Sequence, residues 1–208
     1  MGKTFFIADL HFGHENILAF DNRPFPDVET HDAELIRQWN SVVGIDDDVW
    51  ILGDISWHNA TKTIEIFKQL NGVKHLCKGN HDGKLLRNKD IQNLFIEICD
   101  YKELQLDDGK GIVLCHYPIP CYRDHFYGWR HLYGHVHTGF EWNMMQRNQR
   151  EMLELYNKES KMYNIGCMVP YMEYKPKTLD QIESDYQEWA TCGPFFGLMG
   201  SLMGKGEQ

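Results

Sequence analysis

Five short apolar runs punctuate the first two thirds of the chain: Thr4 to Ala8, Val49 to Leu52, Val73 to Lys78, Ile112 to Cys115 and Arg130 to Tyr133. Their β-branched, aromatic and aliphatic residues predict short buried strands. Between the first two, His31 to Val43 places Leu35, Ile36, Trp39, Val42 and Val43 on one face of an amphipathic helix, and Gly44 stops it. Thr61 to Leu70 repeats the pattern with Ile64, Phe67 and Leu70 before Asn71-Gly72. Strand, helix, strand, helix, strand is a crossover pattern, and it implies a parallel or mixed sheet with helices on its faces.

The second half has a different pattern. Ile96 to Leu106 and Gly111 to Cys115 read as two strands joined through Asp107-Asp108-Gly109, a hairpin signal, so this half is expected to be antiparallel. Trp142 to Tyr156 has partial helical spacing and reads as a helical insertion. The fold class expected is α/β, a layered β-sandwich of mixed sheets flanked by helices in α/β/β/α order. A single domain over residues 1–192 is followed by an apolar, glycine-rich tail, 193–208, which either docks on the body, pairs with another subunit or stays mobile.

Each predicted strand runs into a polar residue of metal-ligand type. The series is Asp9-x-His11, Gly53-Asp54, Gly79-Asn80-His81-Asp82, His116 and Gly134-His135-Val136-His137. Ligand sites of open α/β sheets lie outside the carboxyl ends of the strands, so residues from 9 to 137 can converge in one crevice. Carboxylate, imidazole and amide oxygen suit hard and borderline divalent ions such as Mn, Fe, Zn or Ni. Seven candidates, Asp9, His11, Asp54, Asn80, His116, His135 and His137, exceed what one tetrahedral ion needs. Two ions sharing a bridging carboxylate would use all of them.

Composition narrows the partners. A net charge of −9 argues against a broad grip on a nucleic-acid backbone, which needs clustered Lys and Arg, and leaves a small anionic substrate held by metal ions compatible. The six cysteines form no C-x-x-C pair and read as free thiols. Met1-Gly2-Lys3 leads directly into the first strand and no apolar stretch approaches spanning length, so a cytoplasmic protein without a membrane role is expected.

The ordered series D-x-H, G-D, G-N-H-[DE], a lone His and G-H-x-H resembles the calcineurin-like metallophosphoesterase superfamily. Asp9-Leu10-His11-Phe12-Gly13-His14-Glu15-Asn16-Ile17, followed by Asn22-Arg23-Pro24-Phe25, is similar to a small bacterial and phage subgroup of it. Tyr163-Asn164-Ile165-Gly166, Tyr174-Lys175-Pro176 and Thr178-Leu179 resemble that subgroup's closing segment, so the likeness runs to about residue 182. The resemblance implies that Asp9, His11 and His137 bind one ion, that Asn80, His116 and His135 bind the other, and that Asp54 bridges them. It further implies hydrolysis of phosphate esters by a metal-bridging hydroxide, with His81 as general acid; Asp82, next to His81 on the same turn, is expected to orient and charge its imidazole. Where the family often reads G-D-x-x-D, this chain reads Gly53-Asp54-Ile55-Ser56-Trp57, a change that bears on the residues supporting the ligands.

Around these ligands His14 is open between a pocket role and a structural one, and His31, His58, His75 and His131 read as structural. The loop Tyr117 to Trp129, flanked by ligands, holds Tyr122, Arg123, Phe126 and Tyr127; either it stacks a flat group and pairs Arg123 with a phosphate, or it packs as a proline-rich loop. Arg23 is a second candidate for substrate. The expected substrate is a small phosphomonoester or phosphodiester, nucleotide-like, with a nuclease of short strands and a catalytically silent metal-binding scaffold as rivals. The scaffold reading would draw on oligomerisation or partner binding through the tail.

Overall fold

The computed structural model describes residues 2–192, and the tail expected at 193–208 lies outside the described residues. Two four-stranded sheets flanked by helices give the layered α/β architecture expected. The first sheet has the order β1 (Thr4–Ile7), β2 (Asp48–Ile51), β3 (Val73–Cys77), β4 (Glu97–Cys99), and all its pairs are parallel. The second has the order β5 (Tyr101–Gln105), β6 (Gly111–Cys115), β7 (Arg130–Tyr133), β8 (Lys161–Asn164). The helices are α1 (Glu15–Phe20), α2 (Val28–Val42), α3 (Ala60–Phe67), α4 (Lys89–Gln92), α5 (Phe140–Tyr156) and α6 (Leu179–Cys192).

All five predicted strands form, as do the three predicted helices, the insertion as α5, and the first two start as their caps dictate. Asp27 accepts the Thr30 N–H at 2.7 Å to open α2, and Asn59 accepts the Lys62 N–H at 2.9 Å to open α3. α2 therefore starts three residues before its first expected position, at Val28. Its face buries Leu35 and Trp39, and Trp39 Nε1 donates to the Asn71 carbonyl at 3.0 Å.

Two expectations need correction. Ile96 to Leu106 is two strands, not one: β4 pairs with β3 in the first sheet, the chain breaks at Asp100, and β5 pairs with β6 in the second. The apolar residues run on through this break, so hydrophobicity alone does not mark the change of sheet. Nor is the second half antiparallel. Only β5 and β6 form the hairpin; β6, β7 and β8 are parallel, because the loop 116–129 and helix α5 each return the chain to the starting edge. Helix α6 was not anticipated, although Leu179, Ile182, Tyr186 and Trp189 follow helical spacing; Trp189 stacks on Trp142 of α5 at 5.2 Å.

The sheets share one core, in which Phe6, Ile7, Val49, Ile51 and Leu76 join Ile112, Val113, Leu114, Leu132 and Met162. Beyond the end of β1 the sheets are stitched together: the Ala8 N–H donates to the Ile165 carbonyl at 2.9 Å, and the Ala8 carbonyl accepts the Cys167 N–H at 2.9 Å. That join holds the carboxyl end of β1 beside the carboxyl end of β8, so loops from both sheets meet over one crevice.

Candidate metal centre

The seven predicted ligands occupy loops at the carboxyl ends of β1, β2, β3, β6 and β7, and the structure brings them together. Five of them leave their strands in the left-handed region: Asp9 at φ 55°, His11 at 53°, Asp54 at 54°, His135 at 71° and His137 at 46°. Such backbone costs on the order of 1 kcal/mol or more per residue and persists only where surrounding bonds fix it. Here Asp9 N–H donates to the Gly53 carbonyl at 3.1 Å, and His11 N–H to the Asp54 carbonyl at 3.0 Å. Glycine is required where the loops cross: a Cβ on Gly79 would lie 2.2 Å from Asp54 Oδ1, and one on Gly53 2.5 Å from His116 Nδ1.

Asp9, His11, Asp54 and His116 are buried. Two groups of three have ligand atoms close enough to hold an ion, Asp9 with His11 and His137, and Asp9 with Asp54 and His116. Asp9 belongs to both. Asp54 Oδ2 also faces both halves, 3.8 Å from His11 Nε2 and 3.7 Å from His116 Nε2. Two ligand atoms each about 2.1 Å from a shared ion stand roughly 3 to 4 Å apart, so these spacings leave room for a cation between the atoms.

The protonation pattern tests the fit more sharply. His116 Nδ1 donates to the Leu52 carbonyl at 2.7 Å, so in the neutral ring Nε2 carries a lone pair, and that lone pair faces Asn80 Oδ1 at 3.0 Å. His135 Nδ1 meets the same oxygen at 3.0 Å. His137 Nδ1 donates to Asp21 at 2.8 Å and turns Nε2 toward Asp9 Oδ1, 4.0 Å away. His11 Nε2 is buried without a hydrogen-bond partner. Lone pairs aimed at one another and an orphaned ring nitrogen are what a cation-binding set presents, and the donor set fits divalent metal ions.

Burial dominates the electrostatics. It pushes the Asp9 carboxyl up, with the neighbouring His137 and His116 opposing, and it lowers the imidazoles of His11, His14 and His135. For His137 burial also opposes the charge, yet the Asp21 hydrogen bond and Asp9 outweigh it and its pKa rises.

His81 stands on the wall of the cavity over these groups, about 350 Å³ in volume, which His11, His14, Trp57, Asn80, His135 and His137 also line. Its N–H donates to Asp54 Oδ1 at 3.0 Å. Asp82 does not pair with the His81 ring. It is buried, and its two oxygens accept N–H groups from Asp54, Ile55 and Gly79 at 3.0, 2.9 and 2.8 Å, so it ties the second motif's loop to the third. Burial raises its pKa, with the Ile55 and Gly79 N–H groups opposing.

Arg23 is likewise corrected. It is buried beneath the site, donating to Asp21, the Leu10 carbonyl and the Asp9 carbonyl, and does not reach the cavity. Arg123 pairs with Glu103 at 2.5 Å and packs over Trp129, away from the ligands. From that loop it is Tyr117 that borders the site, edge-on to His116 and His135. His14 does line the cavity, with Nδ1 3.2 Å from His11 Nδ1.

Three contributors went unnoticed in the sequence. Trp57, at the fifth position of the second motif, lies parallel to His14 at 4.2 Å and packs on His11 and His81 at 4.5 and 4.6 Å. Asp21 orients His137. Asp32 receives Gly13 N–H at 3.1 Å, His58 Nε2 at 2.7 Å and His31 Nδ1 at 3.0 Å, which secures the loop after His11. Only Trp57 carried a signal, as a replacement inside a motif.

No protein-family model matches the chain. It is 34% identical to the uncharacterized protein MJ1445 of Methanocaldococcus jannaschii, over 88% of this chain and 90% of the relative. It is 32% identical to the Gene 66 protein of Mycobacterium phage D29, over 66% of this chain and 80% of that protein. Among solved structures, AQ665 of Aquifex aeolicus, a protein of unknown function, matches over 88% of this chain and 99% of its own at TM-score 0.58 and 23% identity, a likeness of fold.

Proposed function

The chain belongs to the family of MJ1445 from Methanocaldococcus jannaschii and the Gene 66 protein of Mycobacterium phage D29, and from that premise we propose that it is a metal-dependent phosphoester hydrolase. In this reading it works as a calcineurin-like metallophosphoesterase, the superfamily its motif series resembles. The observation that carries the reading is the buried cluster in which Asp54 Oδ2 faces the unpartnered Nε2 of His11 on one side and Nε2 of His116 on the other.

Asp9, His11 and His137 would hold one divalent ion, Asn80, His116 and His135 a second, with Asp54 shared. The donor set, free of thiolate, favours Mn with Fe, Zn or Ni as substitutes. Bound there, the cations supply positive charge to the phosphoryl oxygens and acidify the attacking water.

The chain's own residues do the rest. The Leu52 carbonyl and Asp21 fix the tautomers of His116 and His137. His81 stands beside the cluster on an exposed wall, where its imidazole donates a proton to the leaving oxygen. His14 and Trp57 form an apolar-faced platform that narrows the approach. The substrate is a small phosphomonoester or phosphodiester of nucleotide type, turned over by a single domain spanning 1–192. The described cysteines are free thiols, as suits a reducing compartment, and we place the enzyme in the cytoplasm.

Metal-stripped protein assayed with Mn²⁺, Ni²⁺, Zn²⁺ or Mg²⁺ on 4-nitrophenyl phosphate and bis(4-nitrophenyl) phosphate tests this. The expected result is metal-dependent turnover of at least one substrate that Asp54→Asn abolishes; silence with every metal would favour a binding scaffold.

A further inference from the structure

The largest cavity that opens beside the metal cluster lies past His81, not over the ligands. It encloses about 820 Å³ and shares Trp57, Asn80 and His81 with the cavity over the cluster. Its far wall is built by Asn59 and Ala60 at the start of α3 and by Lys84, Arg87 and Asn88 around the turn Leu85–Arg87. In a chain with 30 acidic against 21 basic residues, none of the residues lining this cleft is Asp or Glu. Lys84 and Arg87 are exposed and, among the described residues, make no ion pair or hydrogen bond. Cations such as Arg123 and Arg130 are paired, with Glu103 and Glu183, whereas Lys84 and Arg87 share a cleft without a carboxylate.

We infer that this cleft receives the leaving-group half of the substrate, and that this half carries a second phosphate, which Lys84 and Arg87 bind. The inference rests on the phosphoesterase reading and deepens it. His81 is the residue common to both cavities that would protonate a leaving oxygen, so a phosphoester reacting at the cluster must send its leaving group past His81 into this space. A bare phosphomonoester of a small alcohol would leave the cleft empty. The volume suits a nucleoside unit, and the side-chain NH2 groups of Asn59 and Asn88, whose Oδ1 atoms accept the Lys62 and Asp90 N–H groups, offer donors to it. The substrate class is then a nucleotide-type phosphodiester with a terminal phosphate.

Thymidylyl-thymidine with no terminal phosphate, with a 5′-phosphate or with a 3′-phosphate is compared with bis(4-nitrophenyl) phosphate, for the wild type, Lys84→Ala/Arg87→Ala, and a matched charge-removal control, Lys68→Ala/Arg147→Ala. One phosphorylated dinucleotide is expected to exceed the unphosphorylated one in kcat/KM by about tenfold, the sum of two exposed charge contacts. That ratio collapses toward one in Lys84→Ala/Arg87→Ala, persists in the control, and falls as salt is raised. Equal turnover of all three dinucleotides, with the aryl diester still cleaved, overturns the cleft assignment alone. An aryl diester inert with every metal overturns the hydrolase reading and this inference with it. As a readout independent of turnover, adenosine 3′,5′-bisphosphate is expected to bind more tightly than adenosine 5′-monophosphate in a titration followed by calorimetry, and equal affinity would count against the second anion site.

Discussion

His137 donates its Nδ1–H to Asp21 at 2.8 Å, and Asp21 in turn pairs with Arg23 at 2.9 Å beneath the cluster. The pair fixes which nitrogen of His137 faces Asp9 and makes that nitrogen more basic. Burial acts to raise the Asp21 carboxyl, but His137 and Arg23 outweigh it and hold it low, so Asp21 is a permanent acceptor at neutral pH.

Asp21→Asn keeps the shape and removes the charge. Metal affinity is expected to fall by roughly ten- to a hundredfold, the usual effect of losing a carboxylate behind a ligand histidine, with the circular dichroism spectrum unchanged. Calorimetric titration with Mn²⁺ measures it, and an unchanged affinity would remove Asp21 from the account.

Asp82 and His81 are neighbours with separable roles. Asp82→Ala strips the acceptor from two buried N–H groups and a half-buried third, and is expected to cost about 3 kcal/mol or more of stability. His81→Ala, on an exposed wall, is expected to change stability by under about 0.5 kcal/mol while slowing substrates with poor leaving groups far more than aryl esters. Urea denaturation of both variants reads the contrast. Comparable stability in the two would mean that Asp82 is not the clamp between the loops.

The ordered motifs made the cluster legible, because strand ends deliver its members and the residue types have few other reasons to recur there. The partners behind them were not. Arg23 looked like a substrate group because a charged side chain near a motif suggests surface chemistry, yet it is buried and spends its donors on Asp21 and on the carbonyls of Leu10 and Asp9. Asp82 looked like the partner of His81 by adjacency, but successive residues on a turn point different ways. The break between β4 and β5 was hidden for a related reason: apolar residues continue through the point where the chain changes sheets, and pairing partners are a long-range property.

His131 provides a pH prediction away from the cluster. It is buried in β7, its Nδ1 donating to the Val113 carbonyl at 3.0 Å and its Nε2 accepting the Ile119 N–H at 3.0 Å, an arrangement for the neutral ring. Burial lowers its pKa from 6.5 to about 4. The unfolded chain therefore binds the extra proton between these values, and stability contributed by the neutral ring is complete above about pH 6.5 and lost progressively down to about pH 4, on the order of 3 kcal/mol in all. Unfolding free energies at pH 7.5, 5.5 and 4.5 should fall more steeply for the wild type than for His131→Gln. Parallel slopes would show that His131 titrates normally in the folded state.

A site built from the seven converging residues is expected to hold two ions. Equilibrium dialysis of metal-stripped protein against Mn²⁺, followed by elemental analysis, counts them. Two ions per chain are expected, with Asp54→Asn weakening both because that carboxylate faces both halves of the cluster. Binding of no ion, or of one ion that Asp54→Asn leaves untouched, would contradict the two-ion site.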